Sequence, residues 1–256
     1  MIKSVIKKTA LYLSLFLLSL LLFLLATLPA NFVWQQALSS KLIGKNLPIK
    51  VLAIEGSVWG GKALVRYQKI ESIVDWDISL MGLLSLGLPI DVQVNSQVGS
   101  LELGANVGLN SASIEVVSAD IDLIYLTPLF RRHRVKLDGS FVAKNIQLEV
   151  VDNQIRSARG LLSWSGGDIS YPAGRKVHER TLPMFKGKLE TKENGDIYIG
   201  VRDTGASFDL IEGHLDSGGS AMLKVKRRLL DLSDEAWPQN SREQDVVFKV
   251  KKNIYQ

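Results

Sequence analysis

The chain contains no cysteine, and only three histidines among its 256 residues. The first absence excludes a disulfide framework and any thiolate metal site. It does not fix the compartment. His133, His178 and His214 are scattered, none at metal-ligand spacing with another, and each reads as a turn or solvent-facing side chain. No serine sits in a G-x-S-x-G turn. "GSLELG" and "GKNLPIK" lack phosphate-loop spacing and a following helix. A strong excess of one charge is missing too. There are 31 basic and 26 acidic residues, and removing Lys3, Lys7 and Lys8 ahead of an apolar run leaves 28 against 26. That balance is no electrostatic footprint for nucleic acid.

What is present first is a long apolar run. "ALYLSLFLLSLLLFLLATL", Ala10 to Leu28, carries no charge over 19 residues. As a helix it spans roughly 28 Å, close to the hydrocarbon thickness of a bilayer. The lysines precede it and no charge follows until Lys41. The positive-inside rule then puts residues 1–8 in the cytoplasm and the bulk of the chain outside. The rival is a cleaved signal peptide. Its apolar region is normally shorter, and Leu28 is bulky where "TLPAN" would need a small residue. Both readings export the protein. The expected organisation is a tail 1–8, a transmembrane helix 9–29, a juxtamembrane linker or short helix 30–48, and a periplasmic β domain 49–256. Trp34 suits the interfacial belt or the start of the soluble domain.

Beyond residue 48 the dominant period is two. "DVQVN", "DIDLIY", "NIQLEV", "DIYIGV", "LKVK" and "VVFKVK" alternate apolar and polar residues, and glycine or Asn/Asp turns separate them. Such runs are strands with one buried and one wet face, as antiparallel sheets have. "ENGD" at 193–196 reads as an Asn-Gly hairpin turn. Phe32 to Ile43 is a candidate helix; Leu80 to Pro89 is a helix, a buried loop or a strand pair; Pro128 in "YLTPLFRR" marks a break. There is no alternation of strands with helices, which argues against a doubly wound fold. The expected fold is mainly β: the N-terminal helix, then a curled antiparallel sheet of about a dozen strands, closing as a sandwich, a partly open barrel or a trough.

"EGSVWGG" (55–61) and "RGLLSWSGG" (159–167) share a tryptophan among glycines, a faint sign of two related β-units broken near 127–134. Trp59, Trp76 and Trp164 are expected to anchor packing, with carbohydrate stacking as the alternative. Trp59 in particular is expected to be largely buried, so that its replacement by Ala would cost about 3–5 kcal/mol. Asp75 and Asp77 flank Trp76 and fit a wet strand face better than an acid–base dyad. "FRRHR", with Arg131, Arg132 and Arg134, is the densest basic cluster. It is either a solvated loop or a contact for a partner or lipid phosphate. Lys224 to Arg228, "KVKRR", reads as an edge strand guarded by lysines.

Taken in order, the anchor, "GSVWGGKA", "VDWDIS", "LLSLGLPIDVQV", "GSFVAKNIQL" and "GLLSWSGG" resemble the type II secretion system protein N family, also called general secretion pathway protein N. The match carries Gly56, Trp59, Gly61 and Ala63, then Trp76 and Leu83 to Leu88, then Gly160, Leu162 and Trp164. The tail from "LSDEAWPQN" onward is more polar than the family pattern. The resemblance implies a non-enzymatic accessory subunit in the inner membrane, with one pass, no cofactor or metal and no catalytic residue. Its partners would be other secretion subunits of the inner-membrane platform, with no nucleic acid or small-molecule substrate. Gly56, Trp59, Gly61, Trp76, Gly160 and Trp164 would serve structure. The alternative is a lipid-handling or envelope-homeostasis protein like the AsmA group. It would be favoured by a sheet that never fills its own interior.

Overall fold

The computed structural model describes residues 2–39, 49–130, 134–173, 176–237 and 240–254, with the side chains of residues 2–10, 37–39, 83–85 and 173 outside that description. Helices α1 (Ile2–Ala26) and α2 (Ala30–Ser39) come first. Six strands follow: β1 (Ile49–Gly56), β2 (Gly60–Tyr67), β3 (Ile70–Ile78), β4 (Gly87–Ser96), β5 (Gly99–Gly108) and β6 (Ser111–Asp122). A 3-10 turn (Leu123–Leu126) and helix α3 (Thr127–Phe130) interrupt them. Next come β7 (Lys136–Leu137), β8 (Ser140–Val151), β9 (Gln154–Trp164), β10 (Gly167–Ala173), β11 (Lys176–Leu182), β12 (Phe185–Thr191) and β13 (Ile197–Asp203). The chain ends with β14 (Ile211–Leu215), β15 (Ser220–Lys226), helix α4 (Arg227–Leu232) and β16 (Val246–Asn253).

Thirteen of the strands form one antiparallel sheet in the order β1-β2-β3-β4-β5-β6-β8-β9-β12-β13-β14-β15-β16, and β11-β10-β7 form a small second sheet. β1 and β16 are both edges, so the large sheet is not closed into a barrel. Strand contacts run between ladder neighbours, and Val74, Val94, Leu101 and Val201 of the apolar face stay only half-buried, so among the described residues no second layer is packed over them. It is a single layer.

That layer has two unlike faces, and the register shows it. One cross-strand row passes through every strand of the large sheet: Ile54, Ala63, Val74, Val94, Leu101, Ala119, Ala143, Leu162, Gly187, Val201, Ile211, Val225, Phe248. The row one residue over is Glu55, Lys62, Asp75, Gln93, Glu102, Ser118, Lys144, Leu161, Lys188, Gly200, Glu212, Lys224, Lys249. Side chains alternate across a strand, so the first row lies on one face and the second on the other. The period-two pattern therefore holds along these two rows, although bulges interrupt it elsewhere in β1, β6 and β8.

Exposure varies along the apolar face. Ala63, Ala119 and Ala143 are each 6% exposed and Ala158 2%, each flanked by cross-strand neighbours, whereas Val107, Leu223 and Phe248 of the same face are 44%, 41% and 56% exposed. On the opposite face Leu161 is 58% exposed. The middle strands, where the shielding is greatest, also carry the features that bend a sheet. Extra residues interrupt the register at Val117 of β6 and around Asn145 of β8 (φ 50°). Beside them, Gly160 of β9 has φ 152°, and a Cβ there would lie 2.4 Å from Ile146 Cδ1 and 2.7 Å from Ile146 Cα. Bulges of this kind bend and twist a strand, and glycine admits the close backbone approach.

Several sequence expectations need correction. The spanning helix is not borne out in the described residues, where no helix is long and apolar enough to cross a membrane. α1 itself runs for 25 residues, Ile2–Ala26, and its side chains are described from Leu11 onward. The alternation of "DIDLIY" stops at Asp122, because Asp122 Oδ1 accepts from the Ile124 N–H at 3.2 Å and starts the 3-10 turn. "ENGD" does turn the β12–β13 hairpin, but within a five-residue loop, closed by Lys192 N–H to Asp196 O at 2.8 Å, with Gly195 at φ 84°. Leu80 to Pro89 divides into a 3-10 turn (Leu80–Ser85) and the start of β4. Pro89 is tolerated there because the β3 ladder ends at the Ile78–Ile90 pair, so no donor is needed from residue 89 on that side.

Candidate functional site

The candidate site is the apolar interior face together with the tryptophan ties that fix its ends. β1 and β2 are joined by Ser57, Val58 and Trp59, and Ser57 Oγ accepts from the N–H groups of Trp59 and Gly60. This turn holds the end of α1. Val58 N–H donates to Leu28 O at 2.9 Å, and Trp59 Nε1 donates to Leu25 O at 2.7 Å. Pro29 forms an isolated bridge to Ser57, and Ala30 at the start of α2 is 6% exposed. The described side chains of α1 remain exposed along the helix.

Trp59 is thus half-buried rather than largely buried, because its ring lies in a turn and reaches outward to the helix end. Trp76 is half-buried as well, but it lies on a strand and not in a turn. It sits on the interior face of β3, opposite Val92 and Gly61, and its Nε1 donates to Val58 O at 3.1 Å. A Cβ on Gly61 would lie 2.4 Å from Glu55 O and 2.5 Å from the Trp76 ring, so glycine is what lets the indole lie on the strand. Gly56 pairs with Gly61 at the end of β1. Trp164 repeats the arrangement of Trp76: it ends β9, packs 5.6 Å from Phe185 between ring centres, and donates from Nε1 to Asp138 O at 2.9 Å. The two tryptophan–glycine stretches are therefore not equivalent, since one tryptophan is in a turn and the other on a strand. Asp75 lies on the outer face with Lys62, their charged atoms 2.9 Å apart, and Asp77 is exposed. Arg131, Arg132 and His133 lie outside the described residues; Arg134 is exposed with φ 54°.

The interior face between β3 and β15 carries aliphatic and aromatic side chains almost throughout. Two of its polar side chains bond within the sheet. Thr191 Oγ1 accepts from Ala158 N–H at 2.8 Å, and Ser96 Oγ donates to Gly99 O at 3.1 Å. Asp203, at the rim and 4% exposed, receives Arg228 Nε at 3.1 Å and Nη2 at 2.9 Å. The guanidinium holds the Asp203 carboxyl below the usual carboxylate range, and Asp203 with Glu243 pushes the Arg228 pKa up. Near β13 to β16 the face opens into a hollow of about 430 Å³ lined by Ile197, Ile199, Leu215, Leu223, Val250 and Lys252. Val94, Leu101 and Val201 elsewhere on this face stay half-buried.

One constellation had no sequence signal. Glu235, after α4, accepts from the Tyr171 hydroxyl at 2.6 Å and lies 2.6 Å from His178 Nδ1. Arg180 Nε donates to Ser233 O at 2.7 Å. These contacts dock the small sheet onto the C-terminal segment. Burial, and then the hydrogen bond to Glu235, push the Tyr171 phenol up to about 12, and the Tyr171 and His178 contacts draw the Glu235 carboxyl down. The alternation of "VHERTL" puts His178 and Arg180 on one face, but nothing local names Glu235 as their partner.

The fold and surface define a single-layer β scaffold with a charged outer face, an apolar interior and a helix tied to one end. The chain belongs to the family described as Type II secretion system (T2SS), protein N, which residues 48–239 match. It is a component of that secretion machinery. No curated protein and no solved structure matches the chain.

Proposed function

We propose that the chain is a non-enzymatic accessory subunit of the type II secretion system, anchored in the inner membrane by a single N-terminal helix. The tail 1–8 lies in the cytoplasm, 9–29 crosses the membrane, 30–48 links, and 49–256 is periplasmic, with a division of the β domain near 127–134. The observation that carries this reading is the tie of Val58 and Trp59 to Leu28 and Leu25, which seats the sheet at the end of an apolar helix with uncovered side chains. The charged outer face and the 131–134 arginine cluster supply contacts for other subunits of the inner-membrane platform. Gly56, Trp59, Gly61, Trp76, Gly160 and Trp164 keep the shape of the scaffold. A deletion strain, complemented with the full chain, is the test. The reading expects exoproteins to accumulate in the periplasm and to be released again on complementation. Unchanged release in the deletion strain would remove the proposal.

A further inference from the structure

We propose that the interior face of the large sheet is a groove for the acyl chains of membrane phospholipid. This goes beyond the secretion role, and its third ground rests on the membrane anchor proposed above. The first ground is chemical. An unbroken apolar row crosses all thirteen strands, and the charged residues of the large sheet are concentrated on the other face. Thirteen strands spaced about 4.8 Å apart give a groove roughly 58 Å along its path, with an area on the order of 1,000 Å². A protein partner on such an area would be expected to make on the order of five to ten hydrogen bonds. The groove offers almost none, because Thr191, Ser96 and Asp203 already bond within the chain. Acyl chains ask for no polar partner, and their flexibility fits a curved surface.

The second ground is shape. The bulges at Val117 and around Asn145 bend the sheet, and the proposal takes its apolar side as the concave one. Two identical concave faces do not stack, which argues against a second copy as the occupant. The third ground is continuity. The groove starts at β1 and β2, whose connecting turn is bonded to the end of α1, so apolar surface continues from the exposed helix onto the interior face. A phospholipid leaving the bilayer at that point keeps its chains on apolar surface and its headgroup outside the groove.

The test uses the full chain reconstituted into vesicles of phosphatidylethanolamine and phosphatidylglycerol. A photoreactive benzoyl-phenylalanine replaces Leu103, Val116 or Leu148 on the interior face, or Glu102, Glu115 or Gln147 on the outer face. After irradiation the proposal expects peptides with phospholipid-mass adducts at the interior positions, several-fold above the outer ones. Equal labelling of the two faces would overturn it. So would interior cross-links to a second copy or another polypeptide, or no adduct at all. As an independent arm, Val116→Asp, or Val116→Asn if the aspartate variant does not fold, should lower the phospholipid retained per chain while leaving the far-UV circular dichroism unchanged. Retention equal to that of the native chain would also refute the groove.

Discussion

Gly61→Ala tests the seat of Trp76. The added Cβ would meet Glu55 O at 2.4 Å and Trp76 Cζ2 at 2.5 Å. Both distances are well inside van der Waals contact. The oxygen belongs to β1, which is paired to β2 at Glu55–Lys62 and Gly56–Gly61, so it cannot retreat without opening the ladder. The ring can tilt, but its Nε1 is bonded to Val58 O at 3.1 Å. Overpacking of this kind costs about 1–3 kcal/mol, and with one contact to backbone we expect about 2–3 kcal/mol. Trp76→Leu alone should cost about 2 kcal/mol, from the lost hydrogen bond and part of a half-buried ring. Combining the two separates the causes. With the indole gone, the clash with the ring is removed while that with Glu55 O remains, so the double variant should be about 1 kcal/mol more stable than the sum of the single changes. Urea unfolding of the detergent-solubilised full chain, followed by far-UV circular dichroism, measures each value. A cost for Gly61→Ala below about 0.5 kcal/mol, or additivity of the two changes, would refute the seat as described.

Three further outcomes follow from the same contacts. Asp203→Asn should destabilise the chain by about 2–3 kcal/mol in urea unfolding, because Arg228 loses a buried charged partner while keeping Glu243. Trp59→Phe keeps the ring but removes the N–H to Leu25 O, so it should cost only about 1 kcal/mol, well below a core tryptophan loss. In a pH series, the lowered carboxyls of Asp203 and Glu235 contribute stability above their unfolded pKa of about 4 that is lost as the pH falls through their folded values. Tyr171 behaves oppositely. Its contribution is complete below its unfolded pKa of about 10 and is lost as the pH rises through about 12. Thermal melts that show no acid-side loss, or the same profile in Tyr171→Phe at alkaline pH, would contradict these assignments.

The β fold was legible because its signal is local. "DVQVN", "NIQLEV" and "DIYIGV" carry their own alternation, and each became a strand with the expected faces. The role of Trp59 was not, since a tryptophan between glycines reads alike in a turn and on a strand, and only pairing register separates it from Trp76. Openness was equally hidden. Alternation fixes which residues share a face but not whether another layer covers that face, so sandwich, barrel and trough gave the same pattern. The Tyr171–His178–Glu235 contact joins residues 64 and 57 positions apart, beyond the reach of any local period. Of the basic cluster only Arg134 has a described place, on the surface.

The central claim is that the large sheet is one curled layer with an unfilled interior. The absence of native cysteine makes a direct measurement simple. Single cysteines at Leu103, Leu148 and Leu162, facing the interior, are compared with Glu102 and Gln147 on the outer face for reaction with N-ethylmaleimide in the folded full chain. An open groove admits the small uncharged reagent, so the interior thiols should react within the same order of magnitude as the outer ones. Interior thiols that stay protected until the chain is unfolded, even after bound lipid has been extracted, would mean a filled core and would contradict the account.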